Sequence, residues 1–447
     1  MLRTTILTGA LALCAFISAA KDTLGIKGEE AASIGLYVVE LNTGRVLSEN
    51  DSRKALVPAS VMKSVTAATA LELLGPDFRF ATQVTLRGSR DTANPALFRG
   101  DIVIESSADP TINSELFDGA KTFQAEIADA LAAKGLRRIT GQIIIDQTLK
   151  DPGCPLEWQL DDTAWAYGAG LFGFNFNDNT FRLWPATGKT SPKIPYIRYS
   201  VHRSDGTNLV RGIGSDSLAV YGLNPANAKW SVRSTIPDPA RAFASLLKAA
   251  LADRSIRVEG DKPSPDAPAT PLLTHRSEPL AAIVKEMMHE SHNLYAEALL
   301  RAIAPADTRE AAIKREKRLW ADRGLSTSLT TILDGSGLAR GNRLSPAFLA
   351  DIFARMAKSA NAQAYVASFP RAGESGTVAS LLKKSRLKGS LALKSGSMNG
   401  VQCFAGYRLD ANSRPTHAVV ILVNGFYCSR TQLRTAIENY LERIFPE

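Results

Sequence analysis

A serine and a lysine stand three residues apart at the start of an apolar stretch, in the segment Ser60-Val61-Met62-Lys63. If residues 61–74 form a helix, this spacing places the serine hydroxyl and the lysine amine on one helical face. Serine is a weak nucleophile without a nearby base, and a partly desolvated lysine with a lowered pKa can be that base. The pair therefore predicts nucleophilic catalysis by Ser60, with Lys63 as its base.

The same pattern also has an ordinary structural explanation. Ser60 follows Pro58-Ala59 at the head of the predicted helix, where a serine side chain commonly caps free backbone N–H groups. The Ser-x-x-Lys spacing recurs in segments that begin at Ser245, Ser380 and Ser385. Taken alone, it does not separate a nucleophile from a helix cap.

A second polar cluster, Ser291-His292-Asn293, lies between apolar-periodic segments at 280–288 and 294–304. A short connection between two helices can project a hydroxyl and an amide into a cleft, so Ser291 and Asn293 are candidate catalytic residues. Asn293 is equally typical of the N-cap of the second helix. Further Ser-x-Asn triplets at 359–361 and 397–399 show that this pattern is also weak by itself.

The third cluster, Lys394-Ser395-Gly396-Ser397, ends a short apolar stretch that predicts a strand, and it is the only Lys-[Ser/Thr]-Gly in the sequence. A glycine between small hydroxyl residues lets a substrate backbone approach closely, and Lys394 supplies positive charge. A strand end with a turn and a solvated lysine would account for the same residues.

Elements from both ends of the chain must bring these clusters together. Residues 32–47 alternate apolar and polar side chains around Asn42-Thr43-Gly44, which predicts a β-hairpin. The helix at 61–74 is stopped by Gly75-Pro76. Later segments predict helices at 280–288, 294–304, 346–357 and about 431–444, and strands at 391–394, 401–407 and 418–423.

The middle of the chain has a different character. Residues 84–272 contain short β-rich runs, many turns and a proline-rich stretch at 262–271. A chain of 447 residues is also too long for one ordinary core. We therefore expect one α/β domain, formed by residues 21–83 and 273–447, that is interrupted by a β-rich insertion of one or two further domains at 84–272.

The composition excludes several classes of protein. An apolar fraction of 45% and a mean hydropathy of −0.07 argue against disorder and against several membrane spans. The formal net charge of +9 suits attraction to an anionic polymer such as the bacterial wall, and it equally suits a generally basic surface. Because no nucleic-acid motif occurs, we predict no nucleic-acid partner.

Residues 1–20 have the features of an export signal. Arg3 supplies a positive start, residues 6–17 form an apolar run, and Ser18-Ala19-Ala20 are small residues suited to cleavage. We expect cleavage after Ala20, which removes Arg3 and lowers the formal charge from +9 by one, to +8. The mature chain would be periplasmic without stable membrane insertion. An uncleaved anchor and lipidation at Cys14 are the alternatives.

Three cysteines follow that segment, Cys154, Cys403 and Cys428. Cys403 and Cys428 sit in adjacent predicted strands, and export permits disulfides, so this pair is a candidate. Cys154 would then remain as a buried thiol. The cysteines and the five scattered histidines show no spacing typical of metal ligands, so we predict neither a metal site nor a cofactor.

The order of the three clusters carries more information than any one of them. Ser-x-x-Lys at a helix start, Ser-x-Asn between helices and Lys-Ser-Gly on a late strand form the set typical of serine β-lactamases and penicillin-binding proteins. The chain resembles the low-molecular-mass class C penicillin-binding proteins, the D-Ala-D-Ala carboxypeptidases and endopeptidases of peptidase family S13. The resemblance covers nearly all of the mature chain, including residues 66–80, 109–111, 141–146, 158–169, 334–342 (DGSGLARGN) and 369–377 (FPRAGESGT).

This resemblance implies a fold and a reaction. The fold would be a penicillin-recognising α/β domain, with a five-stranded antiparallel sheet flanked by helices and a long insertion between the first two motifs. Ser60 would attack the D-Ala-D-Ala carbonyl of peptidoglycan stem peptides, and neutral Lys63 would take its proton. Ser291 would relay a proton to the leaving amine, while Asn293 would position Lys63 and the substrate amide. β-Lactam antibiotics would acylate Ser60 as inhibitors.

The third motif has implied roles of its own. Lys394 would add electrostatic stabilisation, and the backbone N–H groups of Ser60 and Ser397 would form the oxyanion hole. The hydroxyls of Ser395 and Ser397 would receive the terminal carboxylate, and Gly396 would allow its close approach. This chain has Lys-Ser-Gly-Ser where Lys-Thr-Gly-[Thr/Ser] is commoner, a change that should preserve the hydroxyls.

Two further positions carry a weaker likeness. Arg340 and Asp162 resemble residues that contact the free end of a diaminopimelate side chain in relatives, and Asp161 competes with Asp162 for that alignment. A surface arginine and a capping aspartate are the alternatives. The family usually has glycines where this chain has Ser106-Ser107-Ala108.

Two other functions compete with the peptidase. A serine β-lactamase carries the same motifs and activates a water for rapid deacylation, but the long insertion and residues 334–342 favour the peptidase. A wall-binding protein without catalysis would not need an intact set of candidate catalytic residues. The sequence leaves open the balance between carboxypeptidase and endopeptidase activity.

Overall fold

The computed structural model describes residues 22–117, 119, 121–261 and 266–446. The predicted export signal at 1–20 lies outside these residues. In the described ranges, none of the helices combines the length and the hydropathy that crossing a bilayer requires.

The first part of the chain forms a hairpin and a helix, as predicted. Its elements are β1 (Ser33–Glu40), β2 (Val46–Asn50) and α1 (Met62–Leu74). The helix ends at Gly75, whose φ of +82° lies in the left-handed region that glycine adopts without strain. All ten residues from 62 to 71 are buried, so α1 runs through the middle of a core.

The middle of the chain is rich in short strands, as predicted. Its elements are β3 (Ala81–Arg90), β4 (Leu97–Glu105), α2 (Phe123–Ala133), β5 (Arg138–Ile139), β6 (Ile143–Asp146), β7 (Thr180–Trp184), β8 (Lys189–Ser191), β9 (Arg198–Arg203), β10 (Asn208–Val210), β11 (Ser217–Gly222), β12 (Val232–Thr235), α3 (Pro239–Ala252), β13 (Arg257–Val258) and β14 (Ala269–Arg276). The strands form one sheet in the order β13-β5-β4-β3-β14, with β6 on β4, and smaller sheets β10-β11-β9 and β12-β7-β8. A separate hydrophobic core joins these elements. Because β14 returns antiparallel to β3, the insertion leaves and re-enters the rest of the chain at neighbouring strands. Its predicted bounds, 84 and 272, stay a prediction.

The last part of the chain supplies most of the helices and three strands. Its elements are α4 (Leu280–Glu290), α5 (Asn293–Ala302), α6 (Arg309–Asp322), α7 (Pro346–Met356), α8 (Ala362–Ala367), β15 (Leu391–Met398), β16 (Val401–Leu409), β17 (Pro415–Asn424) and α9 (Arg430–Ile444). The predicted helices and strands of this part are confirmed. Helix α6 was not predicted, because its sequence REAAIKREKRLWAD is mostly charged and shows little apolar periodicity.

Strands from the two ends of the chain form one sheet in the order β15-β16-β17-β1-β2, and every neighbouring pair is antiparallel. One face packs against α1, α4, α5 and α7. The other face packs against α9 and the segment 372–387. The predicted five-stranded antiparallel sheet flanked by helices is therefore confirmed, and it brings β15 beside the start of α1.

The candidate disulfide between Cys403 and Cys428, which the sequence leaves open, does not form, because both thiols are free. Cys403 lies on β16 and belongs to the core between the sheet and α1. Cys428 lies beyond the end of β17 and packs on the core at the opposite face. A sheet separates the two side chains, and a disulfide needs their Cβ atoms within about 4.5 Å. Cys154 is free as well, and it is half-buried.

Candidate active site

Ser60 lies in a short 3-10 turn, Ala59–Val61, that leads into α1. Its hydroxyl accepts a hydrogen bond from Lys63 Nζ at 3.0 Å, and it does not cap the helix. Ala59 has a φ of +47°, a conformation uncommon for alanine that is retained only where the surroundings impose it. The structure therefore shows the Ser60–Lys63 pair in contact and removes the capping alternative.

Lys63 is fully buried and has three oxygen neighbours. Besides Ser60, its Nζ donates to Asn293 Oδ1 at 2.6 Å and to the Ser336 carbonyl at 2.6 Å. Burial lowers the pKa of Lys63 to about 7, although the charges of Asp334 and Glu297 act in the opposite direction. A neutral amine keeps two N–H groups for Asn293 and Ser336 and presents its lone pair to the Ser60 proton. The geometry suits a general base at neutral pH.

The connection between α4 and α5 places Ser291 and Asn293 at the same site. Ser291 ends α4 with a φ of +57°, and Asn293 begins α5. Asn293 Nδ2 donates to the Tyr167 carbonyl at 2.8 Å, which orients its Oδ1 toward Lys63. A backbone oxygen of the inserted segment thus fixes an amide that contacts the candidate base.

Lys394 lies on β15 and is fully buried, so the solvated-lysine alternative does not hold. Its Nζ donates to Ser291 Oγ at 2.9 Å and to the Ser395 carbonyl at 2.8 Å. Burial, together with repulsion from Lys63, lowers the pKa of Lys394 well below its usual range. Ser291 therefore stands against one buried lysine and Asn293 against the other.

Gly396 lets β15 pack closely against the turn that carries Ser60, the candidate nucleophile. A Cβ at this position would lie 2.5 Å from the Pro58 carbonyl oxygen and 3.0 Å from the Ser60 nitrogen. Such contacts are too close for any side chain, so the third motif needs glycine for packing. The neighbouring hydroxyls have partners of their own: Ser395 Oγ donates to Thr377 Oγ1 at 2.7 Å, and Ser397 Oγ accepts from Arg430 Nη1 at 2.6 Å.

These residues border a cleft with a volume of about 420 Å³. It is lined by Ser60, Ser291, Thr377, Ser380, Leu381, Ser395, Ser397, Gln402, Phe404, Arg430, Thr431 and Arg434. Arg430 and Arg434, on the first turns of α9, make the end of the cleft near Ser397 positive. Sequence reasoning missed both arginines, because no motif includes them and only the packing of α9 on the sheet brings them to the cleft.

Residues 334–342 form a loop around a buried carboxylate. Asp334 accepts hydrogen bonds from the backbone of Gly337 and Ala339, from Asn342 Nδ2 and from Trp158 Nε1, at 2.7 to 2.8 Å. The loop presents the Ser336 carbonyl to Lys63. Asp334 thus fixes the shape of the loop that contacts Lys63, a role that the sequence did not indicate.

The structure places Asp162 beside Tyr167, whose hydroxyl donates to Asp162 Oδ1 at 2.8 Å. Arg340 is exposed. Burial and the neighbouring Asp162 raise the pKa of the Tyr167 hydroxyl, whereas the positive charge of Arg340 acts to lower it. Tyr167 also supplies the carbonyl that binds Asn293, so the surroundings of Asp162 and Arg340 adjoin the site. Asp161 is exposed and makes no such contact with Tyr167 among the hydrogen bonds of the described chain.

The other Ser-x-x-Lys segments do not build a comparable pair. Their lysines, Lys248, Lys383 and Lys388, are all exposed. None of the three has the buried surroundings that Lys63 has. Ser380 lines the cleft, but its neighbour there is Arg434.

Comparisons with known proteins agree with this architecture. A model of the D-Ala-D-Ala carboxypeptidase 3 (S13) family matches residues 20–443. The chain is 28% identical over 415 residues to a D-alanyl-D-alanine carboxypeptidase of Actinomadura sp., covering 85% of this chain and 75% of that protein. It is 23% identical over 472 residues to the D-alanyl-D-alanine carboxypeptidase DacB of Haemophilus influenzae, covering 96% and 93%.

Solved structures show the same fold. The crystal structure of penicillin-binding protein 4 from Haemophilus influenzae superimposes with a TM-score of 0.79 at 21% identity, covering 94% of this chain and 97% of that one. The same protein complexed with a β-lactam gives a TM-score of 0.75 at 20% identity, with the same coverage. Because the family model spans nearly the whole sequence, this chain belongs to the D-Ala-D-Ala carboxypeptidase 3 (S13) family of hydrolases.

Proposed function

We propose that this enzyme cleaves the D-Ala-D-Ala end or the crosslinks of peptidoglycan stem peptides through an acyl-enzyme on Ser60. The observation that carries the proposal is the buried Lys63 amine, which lies 3.0 Å from Ser60 Oγ and has its pKa lowered to about 7. A substantial fraction of this amine is neutral at pH 7, when it can take the serine proton.

Acylation follows from the positions of the groups around the cleft. Ser60 Oγ attacks the carbonyl carbon of the D-Ala residue before the scissile bond, and its proton passes to Lys63. The backbone N–H groups of Ser60 and Ser397 stabilise the oxyanion that forms. Ser291 then relays to the leaving D-amino group the proton that Lys63 took from Ser60, so that the C–N bond breaks and both Ser291 and Lys63 return to their starting states. A water later hydrolyses the ester and frees the Ser60 hydroxyl.

The positive end of the cleft supports recognition of a free carboxylate. Ser395 and Ser397 offer hydroxyls there, and Arg430 holds Ser397 Oγ. A substrate carboxylate in this position places a negative charge near Lys394, and so raises the pKa of its amine. Lys394 then stabilises the developing negative charge as an ammonium group.

Asp162 and Arg340 support a preference for a zwitterionic side chain on the acyl side of the substrate. The free end of diaminopimelate carries an ammonium and a carboxylate, which pair with a carboxylate and a guanidinium respectively. Tyr167 links Asp162 to the site, because its hydroxyl donates to Asp162 and its backbone carbonyl accepts from Asn293.

β-Lactam antibiotics are the inhibitors expected of this site, since they present a reactive carbonyl and a carboxylate in the same geometry. The β-lactam complex of the Haemophilus influenzae relative supports this part of the proposal. Labelled penicillin should therefore attach covalently to Ser60. Peptide mapping, with Ser60→Ala as the negative control and Ser245→Ala as a matched Ser-x-x-Lys control, tests the assignment.

An adduct on Ser245, Ser380 or Ser385 would refute the nucleophile. Rapid turnover of the antibiotic without a trapped adduct would indicate a β-lactamase instead. Digestion of purified muropeptide monomers and crosslinked dimers, followed by mass spectrometry, separates carboxypeptidase from endopeptidase activity. Release of D-alanine from monomers reports the first, and conversion of dimers to monomers reports the second.

The proposed location is the periplasm, after removal of residues 1–20. N-terminal sequencing of exported protein should find Lys21 at the start. Recovery of an uncleaved chain from the membrane fraction would mean that the N-terminal segment is an anchor.

A further inference from the structure

The middle residue of the Ser291-His292-Asn293 connection turns away from the cleft. Ser291 and Asn293 contact the two buried lysines, whereas His292 packs on the Tyr295 ring with a centroid distance of 4.0 Å. His292 Nε2 lies 3.6 Å from Asp178 Oδ1. Burial lowers the pKa of His292, so at neutral pH this contact involves an uncharged ring. The connection thus has a second side, and that side faces the inserted segment.

Asp178 is the carboxylate that meets this second side. It is 3% exposed, and the hydroxyl of Tyr295, two residues beyond Asn293, lies 3.2 Å from Asp178 Oδ1 and 2.6 Å from Ser114 Oγ. Arg233 Nη2 donates to Asp178 Oδ2 at 3.2 Å and so balances its charge. One carboxylate of the insertion therefore contacts residues on both sides of Asn293.

The backbone that carries Asp178 is held in an unusual conformation. Asn177, Asp178 and Asn179 have φ values of +50°, +56° and +51° in succession. Side-chain-bearing residues adopt this left-handed region at a cost, even though Asn and Asp tolerate it best. Surrounding bonds impose it: Asn177 N donates to the Ile112 carbonyl at 2.7 Å, and Asn179 Nδ2 donates to the Gly170 carbonyl at 2.9 Å. The position of the carboxylate is consequently fixed by the insertion.

The connection itself also needs outside support, because Ser291 has a φ of +57°. We infer that Asp178 is a positioning residue through which the inserted segment holds the Ser291–Asn293 connection against the two catalytic lysines. The effect is geometric: the negative charge of Asp178 is paired with Arg233, and the carboxylates that act on the pKa of Lys63 are Asp334 and Glu297. The inference rests on the proposed function.

Asp178→Asn tests it, because the amide keeps the size of the side chain and loses the charge and one acceptor. Asp101→Asn is the matched control. Asp101 is also a fully buried aspartate of the inserted segment with an arginine neighbour, Arg87 Nη2 at 3.6 Å, and it lies on β4 away from the connection. Tyr295→Phe is a second variant, which removes the hydroxyl that contacts both Asp178 and Ser114.

The measurement is the rate constant for acylation by saturating labelled penicillin, expressed per active site titrated at the end of the reaction, from pH 5 to 9. A small displacement of catalytic groups costs up to about 100-fold in rate, so we expect Asp178→Asn to lose about tenfold or more and Tyr295→Phe about threefold. Asp101→Asn should keep the wild-type rate per site. The pH at which the acylation rate falls to half of its plateau value should be the same in the wild-type enzyme and in all the variants.

Two outcomes overturn the inference. In one, Asp178→Asn and Tyr295→Phe lower only the number of active sites and keep the wild-type rate per site, which indicates a purely structural role. In the other, the midpoint of the pH profile shifts, which indicates an electrostatic effect on Lys63. If the wild-type enzyme is not acylated at Ser60 at all, the proposed function fails instead, so the two failures are distinguishable.

Discussion

Lys63→Ala should remove the pH dependence of acylation as well as most of its rate. In the wild-type enzyme the base must be neutral, and burial lowers the pKa of Lys63 to about 7. The acylation rate should therefore rise with pH through about 7 and level off above it. At pH 5, about two pH units lower, only about 1% of the amine is neutral, so the rate should be about 100-fold below the plateau.

The size of the loss follows from the contact that is removed. Lys63 Nζ is the group within 3.0 Å of Ser60 Oγ that can accept its proton. General-base removal costs roughly 100-fold to 10,000-fold, which corresponds to about 3 to 5 kcal/mol in activation free energy. What remains in Lys63→Ala should be a slow acylation without the acidic limb.

Lys394→Ala is the comparison, because it also removes a buried lysine near the same serine. Its loss is electrostatic, on the order of 3 to 4 kcal/mol, so the two variants can have similar rates at pH 7. The base is intact in Lys394→Ala, however, and its acidic limb should persist. The shape of the profile therefore separates the two roles where the rate at one pH does not.

The assay is stopped-flow or quenched acylation by a labelled penicillin at saturating concentration between pH 5 and 9, with Ser60→Ala as the blank. An acidic limb that persists unchanged in Lys63→Ala would refute the reasoning, because another group would then be the base. If the acidic limb disappeared in Lys394→Ala, the group that titrates would be Lys394, and the assignment to Lys63 would be refuted.

Three further predictions concern other parts of the molecule. Gly396→Ala should lower the acylation rate by about 100-fold without unfolding the chain, because the new methyl group would clash with the Pro58 carbonyl and displace the turn that carries Ser60. Penicillin labelling measures the rate, and circular dichroism checks the fold. Arg430→Gln should raise KM for a D-Ala-D-Ala peptide about tenfold with a smaller change in kcat, since it removes positive charge and the donor to Ser397, as steady-state kinetics would show. Burial raises the pKa of Glu316 to about 7, so the folded chain binds its proton more tightly than the unfolded chain and loses stability as pH rises from about 4.5 to 7. The free energy of unfolding of Glu316→Gln, relative to that of the wild type, should therefore increase by about 3 kcal/mol as the pH rises from about 4.5 to about 8. Urea titrations measure this difference, and a difference that stays constant with pH would contradict the assignment.

The elements that hold the site were largely predictable because their signals are local. The hairpin at 32–47 and the strands near the end of the chain follow from alternation and turn residues. The helix after Ser60 follows from an unbroken apolar run that stops at Gly75-Pro76. Helix α6 was not predictable in this way, because it buries only a few residues, such as Trp320, and most of its other side chains are charged. Its sequence therefore has little apolar periodicity to detect.

The order of the three motifs also belonged to the sequence, and it indicated which chemistry the chain supports. Only the folded chain shows which Ser-x-x-Lys is the pair at the site. The role that we propose for Lys63 depends on the fold, which buries its amine and brings Asn293 and Ser336 to it from more than 200 residues away. The exposed Lys248, with the same spacing from its serine, has no such surroundings.

Other parts of the site were decided by tertiary structure alone. The Tyr167 carbonyl that orients Asn293 has no sequence signature, because every residue carries a backbone carbonyl. Arg430 reaches the cleft only because α9 packs across the sheet, and Cys403 cannot meet Cys428 because the sheet lies between them. Sequence patterns report which groups a segment presents, whereas contacts between distant segments depend on packing, and packing is where the burial that lowers the pKa of Lys63 arises.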